Sequence, residues 1–488
     1  MSPTLVVITL ISYLLLLFLA SYLSGNRADN DGFFIGNRRT TWYMATLAMI
    51  GAAMSGVTYI SVPGSVADDS FSYMQMVVGF TIGQFIVAFV LVPLFYRLRV
   101  VSLYEYLDQR FGVRSHRVGA WCFLVAKIIG AALKLYVVCA VMQILLFNQL
   151  GVSLWVNVLI TMTLVWLYTL KGGVRSLIIT DSIQSICLVG SVVVCVWCLC
   201  RALGIESVGA LADSISSSPY SQIWFFDNPA SGRYFWKMVA GGALCLVAMT
   251  GLDQDMMQRN MSCRTVRDSQ INIVLTAICQ IFVILLLLVL GVLLYQFIEA
   301  AGLPTPVRGD DAFPIVAMQG GLPQVVGIVF ILGLISSTYS AAGSALTSLT
   351  TSFTIDIMGA AHRSEADLTR TRKRVHTAMA IVVALCIMVF NWLGQGSVIN
   401  LVFRLAGYTY GPILGMFVYG IVSRRRVRER YVPIVAIVAP VLSFALQYGA
   451  AEWFAYEIGF ELLGYNALIT IIGLMLISSD KIADDRVK

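Results

Sequence analysis

Residues 336–354 read SSTYSAAGSALTSLTTSFT, with a hydroxyl on nearly every helical turn of an otherwise apolar run. One or two Ser or Thr in such a run simply bond back to their own helix. A row this dense points to a hydrated or ion-lining face, because hydroxyl oxygens suit hard cations such as sodium. Lys127, Lys134, Asp181 and Arg404 also lie in apolar surroundings, where ionisable groups are costly and face a cavity or a partner. Lys127 and Lys134 are seven residues apart and share one helical face. Lys127 lies about 15 Å from the nearer end of its run at about 1.5 Å per residue and can snorkel; Lys134 is deeper. Asp181 either pairs with Lys127 or holds a cation, and Arg404, near the outer end of its run, reads as structural.

Two further stretches bear on backbone rather than side chains. Residues 48–58 (AMIGAAMSGVT) and 241–251 (GGALCLVAMTG) place small and polar residues in the middle of apolar runs. Close helix packing is one reading of either stretch alone. The other is a broken helix, which persists in lipid only where it lines a cavity or is buried in protein.

These residues must be positioned by membrane helices. The 488-residue chain has only 12% charged residues, against about 25% in soluble proteins, which excludes an ordinary soluble enzyme. Apolar runs bounded by charge or Gly/Pro predict spans at 4–22, 41–62, 72–96, 118–148, 153–170, 175–200, 234–257, 270–298, 324–355, 375–394, 397–422, 431–450 and 463–479, each near the roughly 20 residues that cross hydrocarbon. The fold class is therefore an all-α polytopic membrane protein of about 13 transmembrane helices. The first run is expected to stay as a span, since no Lys or Arg precedes it and no cleavage pattern closes it.

Lys and Arg collect in cytoplasmic loops. With the N-terminus outside and the C-terminus inside, 26 of the 33 basic residues, from Arg27 through Lys171, Arg259 and the run at 424–430 to Lys488, fall on the inner side. Arg201, Arg233, Lys237 and Arg308 are outside, and Lys127, Lys134 and Arg404 lie within spans. This topology explains the net charge of +7 without a nucleic-acid partner. Nine cysteines fall in spans and Cys263 on the reducing inner side; the spacing of Cys195, Cys198 and Cys200 resembles a ligand set but lacks a supporting shell on a bare apolar helix. The two interrupted spans are five helices apart and run oppositely through the bilayer, as the leading helices of an inverted repeat do.

The ordered motifs resemble the sodium/solute symporters, the family that includes glucose, proline, sialic acid and monocarboxylate carriers. They are FFIGNRR at 33–39, SLYEYL at 102–107 with Arg110-Phe111-Gly112, Gly172-Gly173, TDSIQ at 180–184, Asp253-Gln254 with Gln258-Arg259, FTID at 353–356, and Gly411-Pro412. Each is weak alone, while their order across roughly residues 4–425 is specific.

The resemblance implies a five-plus-five inverted-repeat core working by alternating access, with sodium as the coupling ion. Its segments are an extra N-terminal helix and cytoplasmic loop (1–40), the first half (41–200), an extracellular loop (201–233), the second half (234–422), and two extra helices with a short tail (423–488). The sodium site it implies uses carbonyls of Gly51 and Met54 with Ser337, Ser340 and Ala341. Ala341 departs from the family's Ser or Thr, so the shell is left to water, Ser344 or Thr338. Gly343 stands where some relatives carry Asp. A second cation site is implied at Asp181, with Ser340 and Ser344.

The sugar carriers' polar groups are absent at Ala53, Val57 and Thr58, which disfavours hexose. Lys134 first and Lys127 second would receive a carboxylate, and half-helix N-termini favour anions. The expected solute is a small organic anion such as a sialic or monocarboxylic acid, lined by Ser55, Thr58, Tyr73, Gln75, Gln84, Lys134, Thr250 and Tyr408. The alternatives are altered or lost sodium coupling (proton-coupled or facilitative), or a transport-deficient solute sensor; against the sensor, residues 480–488 offer no output domain. No HExxH or GxSxG signature suggests an enzyme. The expected setting is the cell membrane, plasma or bacterial inner, with the chain a monomer in the lipid bilayer.

Overall fold

The computed structural model describes residues 3–25, 30–98, 100, 102–170, 173–360, 363–393, 398–454 and 456–482. Arg27, Lys171, Gly172 and Lys488, used above, lie outside the described residues. The long helices are α1 (Pro3–Gly25), α2 (Trp42–Ala53), α3 (Gly56–Gly64), α4 (Tyr73–Leu98), α5 (Val113–Met142), α6 (Leu154–Thr169), α7 (Gly173–Ala202), α8 (Phe235–Gly251), α9 (Gln254–Met261), α10 (Val266–Ala300), α11 (Gln324–Ile357), α12 (Glu365–Leu393), α13 (Val398–Val422), α14 (Val432–Phe454) and α15 (Leu462–Leu476).

Nine helices among the described residues are long and apolar enough to cross a membrane, and two bent pairs raise the number to 11. The pairs are α2 with α3, bent by 59°, and α8 with α9, bent by 65°. They coincide with the two small-residue stretches, so both are broken helices and close packing alone does not describe them. α6 and α15 are apolar but have 16 and 15 residues. The all-α expectation needs one correction: Arg425–Val427 (β1) pairs antiparallel with Ser478–Ile482 (β2). The segment expected to remain helical to 479 therefore ends at Leu476.

Local chemistry explains both breaks. At the first, Met54 (φ −94°, ψ 89°) leaves helical geometry while its N–H still bonds the Ile50 carbonyl at 3.0 Å. Ser55 is extended and caps α3, its Oγ accepting from the Thr58 N–H at 3.4 Å. At the second, residues 247–251 widen into a π-helical turn, a common interruption at functional positions. Asp253 then restarts the chain as the N-cap of α9, accepting from the Asp255 and Met256 N–H groups at 2.8 and 3.4 Å. A carboxylate there satisfies orphan donors and complements the helix dipole.

α7 lies between α2 and α11, and α3 packs on α10 and α11. The two breaks therefore share a core with the hydroxyl-rich helix. The 201–233 connection carries a short helix, Val208–Ser216, and is tied back through buried Gln75. Gln75 accepts from the Phe225 N–H at 3.0 Å and donates to the Arg233 carbonyl at 3.0 Å.

Candidate functional site

The two breaks enclose a cavity of about 150 Å³. Ser55, Thr58, Tyr73, Gln84, Lys134 and Thr250 all line it, as expected, together with Met54 and Ala341. Two expected lining residues do not. Gln75 is spent on the 201–233 connection, and the Tyr408 hydroxyl donates to Gln447 beyond the cavity wall. Tyr410, two residues further along α13, faces the cavity in its place. Two residues of helix turn a side chain through about 200° at 3.6 residues per turn.

A buried chain of charges runs along one wall. Lys127 Nζ lies 2.7 Å from Asp255 Oδ2 and donates to both Asp253 oxygens at 3.1 and 3.2 Å. Tyr410 donates to Asp253 Oδ2 at 2.5 Å. Arg259 donates to Asp255 Oδ1 at 2.5 Å and, through Nη2 and Nε, to Asp181 Oδ2 at 2.7 and 3.1 Å. Ser340 Oγ donates to Asp181 Oδ1 at 2.8 Å. Asp181 thus pairs with Arg259 and not with Lys127. Arg259, counted above in an inner loop, is instead buried in α9. Its only sequence signal was its place beside Gln258 in the family motif.

This pairing distinguishes the two lysines. Lys127 is neutralised by two carboxylates, whereas Lys134 lines the same cavity with no carboxylate in ion-pair contact among the described residues. Also in the lining, Gln84 donates to Gln280 Oε1 at 2.9 Å. Buried Gln84 Oε1 has no partner among the described residues, leaving an acceptor beside the cavity. Gln280, Thr276 and Tyr410 were missed as lining residues. Tyr73 also lines a second cavity of about 830 Å³ with Asp68, Asp69, Arg233 and Arg404, so it forms the shared wall between the two.

Around the first break the donors fit a hard cation. Gly51 touches α7 at Asp181 and Ser185 in the last turn of α2, where carbonyls lack intrahelical donors. A Cβ on Gly56 would lie 2.6 Å from Thr338 Oγ1 and 3.4 Å from Ser337 Oγ, so only glycine lets the break approach the hydroxyl row. Ser337 and Thr338 each donate to the Leu334 carbonyl, at 2.9 and 2.7 Å, which leaves their oxygens available as acceptors. Ala341 faces the cavity without an oxygen, and Ser344 donates to the Ala341 carbonyl at 3.2 Å. The space at Gly343 is filled: a Cβ there would meet the Tyr168 hydroxyl at 1.9 Å.

Comparison with known proteins fits this geometry. The profile described as "Sodium:solute symporter family" matches residues 33–429. The sodium/iodide cotransporter of Homo sapiens is 24% identical over 409 residues, 81% of this chain and 62% of that protein. Sodium-coupled monocarboxylate transporter 2 of Danio rerio is 25% identical over 406 residues, 81% of this chain and 63% of that protein. The match thus spans less than two thirds of these curated relatives' length. Among solved structures, a sodium-coupled sialic acid symporter in a substrate-bound outward-open state has a TM-score of 0.81 at 18% identity, covering 98% of this chain and 99% of that one. Mhp1, a nucleobase-cation-symport-1 family transporter, has a TM-score of 0.55 at 14% identity, covering 92% and 95%. At these identities the likeness is one of fold. A profile that spans most of the chain, on a fold matched nearly end to end, means that this multi-pass membrane protein belongs to the sodium:solute symporter family.

Proposed function

We propose that the chain is a sodium-coupled symporter of a small anion in the cell membrane, and not an enzyme. The observation that carries this reading is the contrast between Lys127, bound to Asp253 and Asp255, and Lys134, which presents its charge to the cavity without an ion-pair partner among the described residues. An ammonium at the edge of a low-dielectric cavity favours an anion. Two of the curated relatives carry iodide or monocarboxylates by name, which agrees with an anionic solute, here an organic acid such as a monocarboxylate or sialic acid. Thr58, Thr250, Gln84 and Gln280 supply hydrogen bonds around it, and Tyr73 closes the wall toward the second cavity.

Sodium is the coupling ion, held near the first break by the carbonyls of Gly51 and Met54 with Ser337; Thr338 replaces the oxygen missing at Ala341. Bound sodium supplies positive charge beside the anion and the free energy of its gradient. Ser340 belongs to this set as well: its hydroxyl donates to Asp181, which leaves its oxygen available to the ion as in Ser337 and Thr338. A second cation at Asp181, Ser340 and Ser344 requires Arg259 to withdraw, so the stoichiometry that follows is one sodium per cycle. The two bent pairs support an inverted repeat of 41–200 and 234–422, flanked by 1–40, the outer connection 201–233, and 423–488. With α6 and α15 counted, the spans number 13, N-terminus outside and C-terminus inside, and one chain forms the transport unit. Uptake into proteoliposomes, driven by sodium and abolished when choline replaces it, tests this function; equal uptake in choline would favour the facilitative or proton-coupled alternative.

A further inference from the structure

The size of the cavity between the two breaks and one unpaired oxygen in its lining narrow the solute further than charge does. A volume of about 150 Å³ holds a molecule of about six non-hydrogen atoms, as an engineered cavity of that size holds benzene. A carboxylate uses half of them. Sialic acid is several times larger and does not fit.

The polar groups of the lining differ in what they can exchange. Lys134 only donates, whereas the Thr58 and Thr250 hydroxyls can donate or accept. The carboxylates of Asp253 and Asp255 are taken by Lys127, Tyr410 and Arg259. Gln84 is left with an unmet need. It is only 4% exposed, and its amide nitrogen donates to Gln280 Oε1 at 2.9 Å, so the oxygen is the end that remains. That Oε1 is buried and has no partner among the described residues. A buried carbonyl without a donor is costly until one meets it.

The donor that meets it can be a hydroxyl or an ammonium. An ammonium would share the cavity with Lys127 and Lys134, while both lining carboxylates are already paired, so its lost hydration would go uncompensated. A neutral hydroxyl avoids that cost.

We propose, on the reading that Lys134 anchors an anion, that the solute is a short-chain hydroxy monocarboxylate of the glycolate and lactate class. Its carboxylate meets Lys134 and its hydroxyl donates to Gln84 Oε1. With so few atoms available, that hydroxyl sits on one of the first carbons after the carboxylate. Gln84 thus determines specificity without attracting charge, because an acid of the same shape that lacks the hydroxyl leaves the carbonyl unpaired.

The test is isothermal titration of the purified full chain, in sodium, with lactate, propionate, pyruvate, alanine and sialic acid. Lactate should bind about tenfold more tightly than propionate or pyruvate, the usual penalty for a buried acceptor left unpaired. Alanine and sialic acid should bind far more weakly still. Q84M should bring lactate down to the level of propionate. Propionate or pyruvate bound as tightly as lactate would overturn the proposal, as would alanine or sialic acid bound equally well. A preference for lactate that survives in Q84M would overturn the part given to Gln84; if that variant does not fold, the series on the unaltered chain decides. Equal binding of lactate and propionate, with both weakened in Lys134→Ala, would remove the hydroxyl requirement and leave the anion reading standing. Binding of none of these acids would remove both.

Discussion

Arg259 donates to one oxygen of Asp181 from two nitrogens, at 2.7 and 3.1 Å, with both side chains almost wholly buried. The bond joins α9, the far arm of the second broken helix, to α7, which packs behind the first. A buried ion pair of this kind holds geometry more than it adds stability, yet removing one partner leaves the other charge stranded at a cost of about 3–5 kcal/mol. Asp181→Ala and Arg259→Ala should therefore each lower the thermal unfolding temperature of the purified protein sharply. The double variant should recover part of the loss, and additive losses in this cycle would show that the two residues do not act as a pair.

On the proposed function, Arg259 seated on Asp181 leaves one sodium per cycle. Initial uptake rates plotted against sodium concentration should be hyperbolic, with a Hill coefficient of about 1. A clearly sigmoidal curve would mean that the guanidinium leaves and that Asp181, Ser340 and Ser344 take a second cation.

The two lysines should part company on substitution. Lys134→Ala removes a charge with no ion-pair partner among the described residues, so the fold should persist while solute affinity falls about 10- to 100-fold, the range for a charge-assisted hydrogen bond of roughly 1.5–3 kcal/mol. Lys127→Ala leaves Asp253 with the Tyr410 hydroxyl and no cation among the described residues, and Asp255 with Arg259 alone, and should appear first as lost thermal stability. Solute binding and thermal unfolding measured on both variants separate these outcomes; an unchanged solute affinity in Lys134→Ala would remove the anion anchor.

Ala341→Ser adds a hydroxyl beside the first break and should lower the sodium concentration for half-maximal uptake. An unchanged value would mean that Thr338 already completes the shell. Gly343→Ala should instead destabilise the protein by about 1–3 kcal/mol, the usual cost of overpacking, because the Tyr168 hydroxyl, which donates to the Tyr339 carbonyl, fills that space. Normal thermal stability in Gly343→Ala would show that Tyr168 moves aside freely.

Much of this architecture can be read in the chain, for a physical reason. Apolar runs and small-residue interruptions are local signals, so the spans and both breaks appear in sequence at 48–58 and 241–251. Pairing is not local. Lys127 and Asp253 are 126 residues apart, and nothing near either shows that α9 will present Asp253 and Asp255 to Lys127 and thereby free Asp181 for Arg259. α9 itself is eight residues with Asp255 and Arg259 buried, and such a charged segment reads as a loop. Tyr408 and Tyr410 differ only in helical phase, and Gln75 has the composition of a binding residue although its amide is committed to backbone in the 201–233 segment.

The most direct test is uptake of labelled lactate, iodide and sialic acid by proteoliposomes under an inward sodium gradient, with choline replacement and Lys134→Ala as comparisons. Sodium-coupled anion symport requires at least one of these to accumulate only with sodium, and that accumulation to fail in Lys134→Ala. Accumulation that is equal in choline, or undiminished in Lys134→Ala, would contradict it, as would the absence of uptake for all three.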